Sequence, residues 1–156
     1  MNIHKKFLIE ALILASDSIK SNGGPFGALV VKDDQIIATG TNEVVKTNDP
    51  TAHAEMVAIR RSCQELNTYQ LNGCTLYSSC EPCPMCLSAV YWARIDVLFF
   101  ALSREDAAAI GFDDAFIYKE IALRPEARSL KMEHVLIPQA KDVFELWQSK
   151  SDKVMY

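Results

Sequence analysis

An α/β fold, with one sheet covered by helices on both faces, is predicted for this chain of 156 residues. Three observations predict it. Apolar residues recur at helical spacing in several segments. Short runs rich in branched and aromatic residues lie between those segments. The pair Asp33-Asp34 separates two such runs by a tight turn, which makes a hairpin near the N-terminus. The length and the 49% apolar fraction suit one domain with a full hydrophobic core.

Residues 3 to 21 read as an amphipathic helix, with Phe7, Leu8, Ala11, Leu12, Ala15 and Ile19 on its stripe and Gly23-Gly24 as its stop. Phe26 to Val31 and Gln35 to Thr39 are the hairpin strands. Asp49 and Pro50 read as N-cap and first helical residue of a helix over about 51 to 66, whose face carries Met56, Ile59, Cys63 and Leu66. That places His53 in the first helical turn. Cys74 to Ser79 is the next strand, Pro84 to Arg94 a short helix, and Asp96 to Leu102 a buried strand. Helical stretches follow at Glu105 to Ile110 and Asp114 to Ala122. His134 to Ile137 reads as a last short strand, and residues 139 to 150 as a final helix bearing Val143, Leu146 and Trp147.

Composition excludes several classes. No apolar run is long enough to cross a bilayer. The N-terminal stretch, with Glu10 and Asp17 close behind it, lacks the pattern of a secretory signal, so a cytoplasmic protein is expected. The net charge is −4, and no basic run exceeds Lys5-Lys6 or Arg60-Arg61, which argues against a nucleic-acid partner. Five cysteines are an odd number. Cys80, Cys83 and Cys86 cluster within seven residues, as metal binding in a reducing compartment requires and a disulfide framework does not.

The chemistry concentrates in His53-Ala54-Glu55 and Pro82-Cys83-Pro84-Met85-Cys86. One imidazole and two thiolates supply three ligands to zinc, and three protein ligands leave the fourth position open, the mark of a catalytic site. Cys83 and Cys86, three apart at a helix start, point the same way. Glu55 stands close enough to move protons at the open position without binding the metal. Against this stand a buried-core reading of the cysteines and an iron–sulfur reading of Cys80, Cys83 and Cys86. The second needs a fourth cysteine three residues on, where the chain has Val90 and Tyr91 instead.

The run Asn48-Asp49-Pro50-Thr51-Ala52-His53-Ala54-Glu55, with Cys80-Glu81-Pro82-Cys83-Pro84-Met85-Cys86, resembles the cytidine deaminase-like superfamily of zinc nucleobase deaminases. The resemblance implies a three-layer α/β/α fold with a central mixed five-stranded sheet, in agreement with the element order. Within the superfamily the chain looks most like bacterial guanine deaminases, nearly end to end. Gly23-Gly24-Pro25-Phe26-Gly27-Ala28, Tyr91-Trp92-Ala93-Arg94, Gly111-Phe112-Asp113-Asp114 and the terminal Tyr156 carry that likeness. The tRNA adenosine deaminases share much of both motifs. They usually have Val where this chain has Pro84, tend to have His-Ser-Arg at Trp92-Ala93-Arg94, and carry a Lys-Thr-Gly stretch that is absent here.

What the resemblance implies is one zinc ion per chain on His53, Cys83 and Cys86, with Glu55 as proton shuttle. The reaction would be hydrolysis of guanine to xanthine and ammonia. Asp114 would read the amino side of guanine and assist the departing ammonia, with Asp113 as a second candidate beside it; a helix N-cap is the competing role of Asp114. Asn42 would hydrogen-bond the purine, Phe26 would stack on it, and Ala54, Trp92 and Tyr156 complete the expected substrate contacts. A single deaminase domain over residues 1–156 is expected, in a homodimer whose tail, residues 151–156, is exchanged so that Tyr156 serves the partner's site. The alternatives are a deaminase acting on the wobble adenosine of tRNA and a non-catalytic zinc-stabilised module.

Overall fold

Helix α1 (Ile3–Lys20) starts where the Asn2 side chain accepts a hydrogen bond from the His4 backbone N–H at 2.9 Å. The computed structural model describes residues 2–112 and 114–156, in two compact units that divide after Tyr118. In the first unit, β1 (Gly24–Lys32) and β2 (Gln35–Asn42) form the expected hairpin. Asp33 and Asp34 take φ of +49° and +60° at its tip, the left-handed pair that a two-residue hairpin turn requires. A short helix α2 (Val44–Thr47), absent from the sequence reading, follows β2. Then come α3 (Ala54–Glu65), β3 (Cys74–Cys80), α4 (Pro84–Trp92), β4 (Val97–Leu102), α5 (Arg104–Ala109) and α6 (Asp114–Ala122).

The sheet runs β2-β1-β3-β4 and is mixed: β1 pairs antiparallel with β2 and β3, and β3 pairs parallel with β4 across α4. Alternation along β1 builds the two faces. Ala28 and Val30 join Leu76, Ala54, Ala58, Ile59 and Val90 under α3 and α4. Leu29 and Val31 join Tyr77, Phe7 and Ala11 under α1. The helices therefore cover both faces, as predicted. At Gly40 the fit of α3 on β2 is backbone to backbone: an added Cβ would run into the Ala54 carbonyl and stand 2.6 Å from the Ala58 nitrogen. This close approach seats the start of α3, which carries His53 and Glu55, over the end of β2.

Three expectations need correction. Among the described residues the sheet has four strands, not five. The segment His134–Ile137 forms no strand; Val135 and Leu136 are 68% and 82% exposed, and Pro138 closes the run without an N–H to offer. The Ile137 carbonyl instead accepts from the Ala140 N–H, at the opening of α7 (Ala140–Ser149). Secondly, β4 is not a buried strand. It is the sheet edge, with Leu98 and Phe99 packed on opposite faces but Val97, Phe100 and Leu102 exposed. Thirdly, α3 begins at Ala54, and His53 is its extended N-cap with φ −68° and ψ 157°. Asp49 caps a turn rather than the helix: its Oδ1 accepts from the Thr51 N–H at 2.8 Å and the Thr51 hydroxyl at 2.7 Å.

Within the second unit Arg128 caps the end of α6, donating to the carbonyls of Glu120, Leu123 and Ile121 at 3.1 to 3.2 Å. A 3-10 turn spans Pro125–Ala127, and α7 presents Val143, Phe144 and Leu146 to solvent. No helix among the described residues is long and apolar enough to cross a membrane.

Candidate active site

Two helix starts meet at the end of β3. His53 caps α3, and Cys83 caps α4 with the same extended backbone, φ −64° and ψ 167°; Pro84 occupies the first helical position, where its missing N–H costs nothing. Cys86 lies in the first turn of α4, so its sulfur folds back toward that of Cys83. The result is a near-equilateral triangle. His53 Nδ1 stands 3.6 Å from each sulfur, and the sulfurs are 3.6 Å apart. Zinc at about 2.3 Å from sulfur and about 2.0 Å from nitrogen, at tetrahedral angles, needs edges of about 3.8 and about 3.5 Å. The three residues therefore fit a zinc ion without rearrangement, and they are the one potential metal-holding cluster among the described residues.

The electrostatics agree with that fit. Cys83 and Cys86 share one thiol hydrogen across 3.6 Å, and this bond, with help from His53, holds Cys83 down to about 4, a thiolate at neutral pH. The same bond, with burial, pushes the Cys86 thiol up. The partnership with Cys83 raises His53 against the opposing effect of burial, and the charges of Glu55 and Asp114 raise it further. A dication takes the place of the shared proton, so metal binding releases it. Cys80 differs: burial pushes it up to about 11, and its thiol donates to the Ser103 carbonyl at 3.3 Å. It stands outside the cluster as an inert thiol.

Glu55, the second residue of α3, is 5% exposed. Burial pushes its carboxyl above the ordinary glutamate range; its own backbone N–H and the Ser78 hydroxyl, which donates to Oε1 at 2.9 Å, pull the other way. Burial thus raises its affinity for a proton, as a group that takes and returns one requires.

A cavity of about 330 Å³ opens onto this cluster. Its lining includes His53, Cys83, Glu55 and Asp114, together with Phe26 and Asn42. The Phe26 ring meets that of Phe112 edge-on, with centroids 4.9 Å apart. Asn42 Oδ1 accepts from the Val44 N–H at 3.3 Å, and a Cβ on Gly24 would stand 3.1 Å from the Asn42 side chain, so a larger residue there would crowd this amide.

Ala54 and Trp92 fall outside this lining. Ala54 is fully buried under the sheet at the first position of α3. Trp92, at the end of α4, is 61% exposed and does not line this cavity. Tyr156 belongs to the second unit and is exposed. Asp113 lies outside the described residues. Sequence reasoning missed Ser78, Val44, Val45 and Glu81, all at the cavity or its wall. Ser78 carried a signal, a polar residue in a strand otherwise buried; the valines of α2 carried none.

Known proteins place the chain. Residues 1–102 match the model of the cytidine and deoxycytidylate deaminase zinc-binding region. The guanine deaminase of Bacillus subtilis is 49% identical over 154 residues, covering 98% of this chain and 99% of its own. An X-ray structure of guanine deaminase from that organism superposes with a TM-score of 0.97 at 50% identity, over 100% of this chain and 99% of the other. A structure solved in complex with 2,6-diaminopurine gives a TM-score of 0.67 at 38% identity, over 69% and 61% of the two chains. A tRNA-specific adenosine deaminase of Aquifex aeolicus is 43% identical over 105 residues, 67% of this chain and 70% of its own.

Proposed function

The chain belongs to the cytidine and deoxycytidylate deaminase zinc-binding family, and from that premise we propose that it is a zinc-dependent guanine deaminase, hydrolysing guanine to xanthine and ammonia. The observation that carries this reading is the buried Glu55 beside the His53–Cys83–Cys86 triangle on one cavity. The choice of guanine rests on the end-to-end similarity to the Bacillus subtilis enzyme.

His53, Cys83 and Cys86 hold the zinc, which when bound supplies a Lewis acid that brings the pKa of water toward neutrality. Glu55 takes a proton from the attacking water as its oxygen adds to C2 of the base. It passes that proton to the adjacent ring nitrogen, then helps deliver one to the exocyclic amine, which leaves as ammonia. Asn42 hydrogen-bonds the purine and Phe26 stacks on it. Asp114 faces the amino side and steadies the leaving group. A free base needs no extrusion from a helix, unlike the targets of deaminases that act on nucleic acid.

We further propose a homodimer, in the cytoplasm, with residues 1–156 as one catalytic domain in which residues 151–156 are exchanged. Two separate observations support an association: β4 leaves Phe100 and Leu102 exposed at the sheet edge, and α7 leaves Val143, Phe144 and Leu146 exposed. In the exchange Tyr156 closes the partner's cavity and keeps bulk water from it.

The tRNA reading is weaker. That similarity covers two thirds of the chain, and Pro84 and Trp92 depart from the pattern that the tRNA adenosine deaminases usually show. A non-catalytic module would have no use for a carboxyl buried beside the metal ligands, as that of Glu55 is. The test of the proposal is the product: zinc-loaded protein converts guanine to xanthine, identified by chromatography. Guanine left intact rejects the proposal.

A further inference from the structure

We propose that Arg104 and Tyr118 are positioning residues that hold Asp114 in register with the loop carrying Cys83, and so set how tightly and how productively the substrate binds. The inference rests on the role given to Asp114 above.

A closed circuit of contacts runs beside the cavity. The Glu81 carboxylate accepts from Arg104 twice, at 3.0 Å from Nη2 and at 3.2 Å from the Arg104 backbone N–H. The Arg104 guanidinium lies over the Tyr118 ring, 4.5 Å from its centroid. The Tyr118 hydroxyl donates to the Pro82 carbonyl at 3.0 Å. Pro82 follows Glu81 and precedes Cys83, so the circuit returns to the metal-ligand loop. The Glu81 N–H is itself fixed to the Leu102 carbonyl at 2.8 Å, which ties that loop to the end of β4.

Tyr118 stands four residues after Asp114, one turn further along α6 and on the same face. Asp114, Ala115 and Tyr118 are its half-buried positions before Lys119, while Phe116 and Ile117 are exposed. Asp114 thus reaches the cavity from a helix anchored to the Cys83 loop by one hydroxyl and one stacked guanidinium. The fork needs arginine. A lysine can meet Glu81 as a point charge but cannot lie flat over the ring while doing so.

The test is a double-mutant cycle on the zinc-loaded enzyme, with metal content and thermal midpoint measured for every variant. Tyr118→Phe removes one hydroxyl and keeps the stacked ring; Arg104→Met keeps the stem and removes the fork. Each is expected to raise the KM for guanine and lower kcat/KM about tenfold, with zinc content unchanged, while Arg104→Lys recovers only part of the loss. In the Asp114→Asn background, Tyr118→Phe is expected to change kcat/KM less than about twofold, because its effect passes through Asp114. Normal kinetics in both single variants would overturn the inference, and so would losses that multiply with Asp114→Asn or a lowered thermal midpoint alone. If Asp114→Asn by itself leaves guanine turnover intact, the role of Asp114 fails, and this inference with it.

Discussion

Ser78 donates its hydroxyl hydrogen to Oε1 of Glu55 over 2.9 Å, with both side chains buried. The strand β3 supplies the donor and the helix α3 the acceptor, so the bond fixes the carboxylate against the sheet. Ser78→Ala leaves a buried carboxylate short of one partner, worth about 1.5–3 kcal/mol for a charged acceptor. We expect kcat to fall about ten- to a hundredfold while zinc remains bound, and Ser78→Thr to keep most activity. Glu55→Gln sets the limit, with zinc bound and turnover lower by at least ~10²-fold. Steady-state kinetics with metal analysis on the same samples decides it. Unchanged kcat in Ser78→Ala would show that Glu55 needs no help from the sheet.

The triangle of His53 and the two sulfurs predicts which thiols matter. Cys83→Ser and Cys86→Ser should each lose zinc and activity together, whereas Cys80→Ser, whose thiol points to the Ser103 carbonyl, should keep both. Metal analysis after gel filtration is the measurement. Full zinc in a Cys83→Ser/Cys86→Ser double variant would contradict the assignment.

Charge at the cluster gives a pH prediction for the metal-free protein. Cys83 is held down to about 4, so its thiolate persists as pH falls from neutrality to about that value. Cys80, pushed up to about 11, stays a thiol throughout. Brief alkylation with iodoacetamide at pH 6, read by peptide mass spectrometry, should label Cys83 ahead of Cys80, and added zinc should protect it. Equal labelling of the two would refute the charge assignment.

Much of this was legible in the sequence because it is local chemistry. The spacing of His53, Glu55, Cys83 and Cys86 announces the cluster, and alternation in β1 announces two covered faces. What was not legible depends on distant neighbours. Asp49-Pro50 looks like a helix start, but Asp49 spends its carboxylate on Thr51 and the helix waits until Ala54. Val97, Leu98, Phe99 and Phe100 look like a core strand, yet among the described residues β4 pairs with β3 alone, and four of its six apolar residues stay exposed. The triad Val135-Leu136-Ile137 has strand composition and no strand partner among the described residues. Ser78 became visible as a site residue only when α3 was laid across β3.

The C-terminal segment carries a prediction of its own. Deleting residues 152 to 156 should leave zinc bound and sharply reduce guanine turnover. Mixing the truncated subunit with a Glu55→Gln subunit should then restore one working site per mixed dimer, since the truncated chain keeps Glu55 and borrows the partner's tail. A mixture that stays inactive would place the tail's action within its own chain, and a truncated enzyme with normal kinetics would make the tail dispensable.

The measurement that bears most directly on the proposed activity is ammonia release from guanine, cytosine, adenine and a tRNA anticodon hairpin, supplied in parallel to the zinc-loaded protein. Guanine should release ammonia with an equal amount of xanthine, at a rate well above the other three. Preferential release from the hairpin, with binding that weakens steeply as salt rises, would contradict the account.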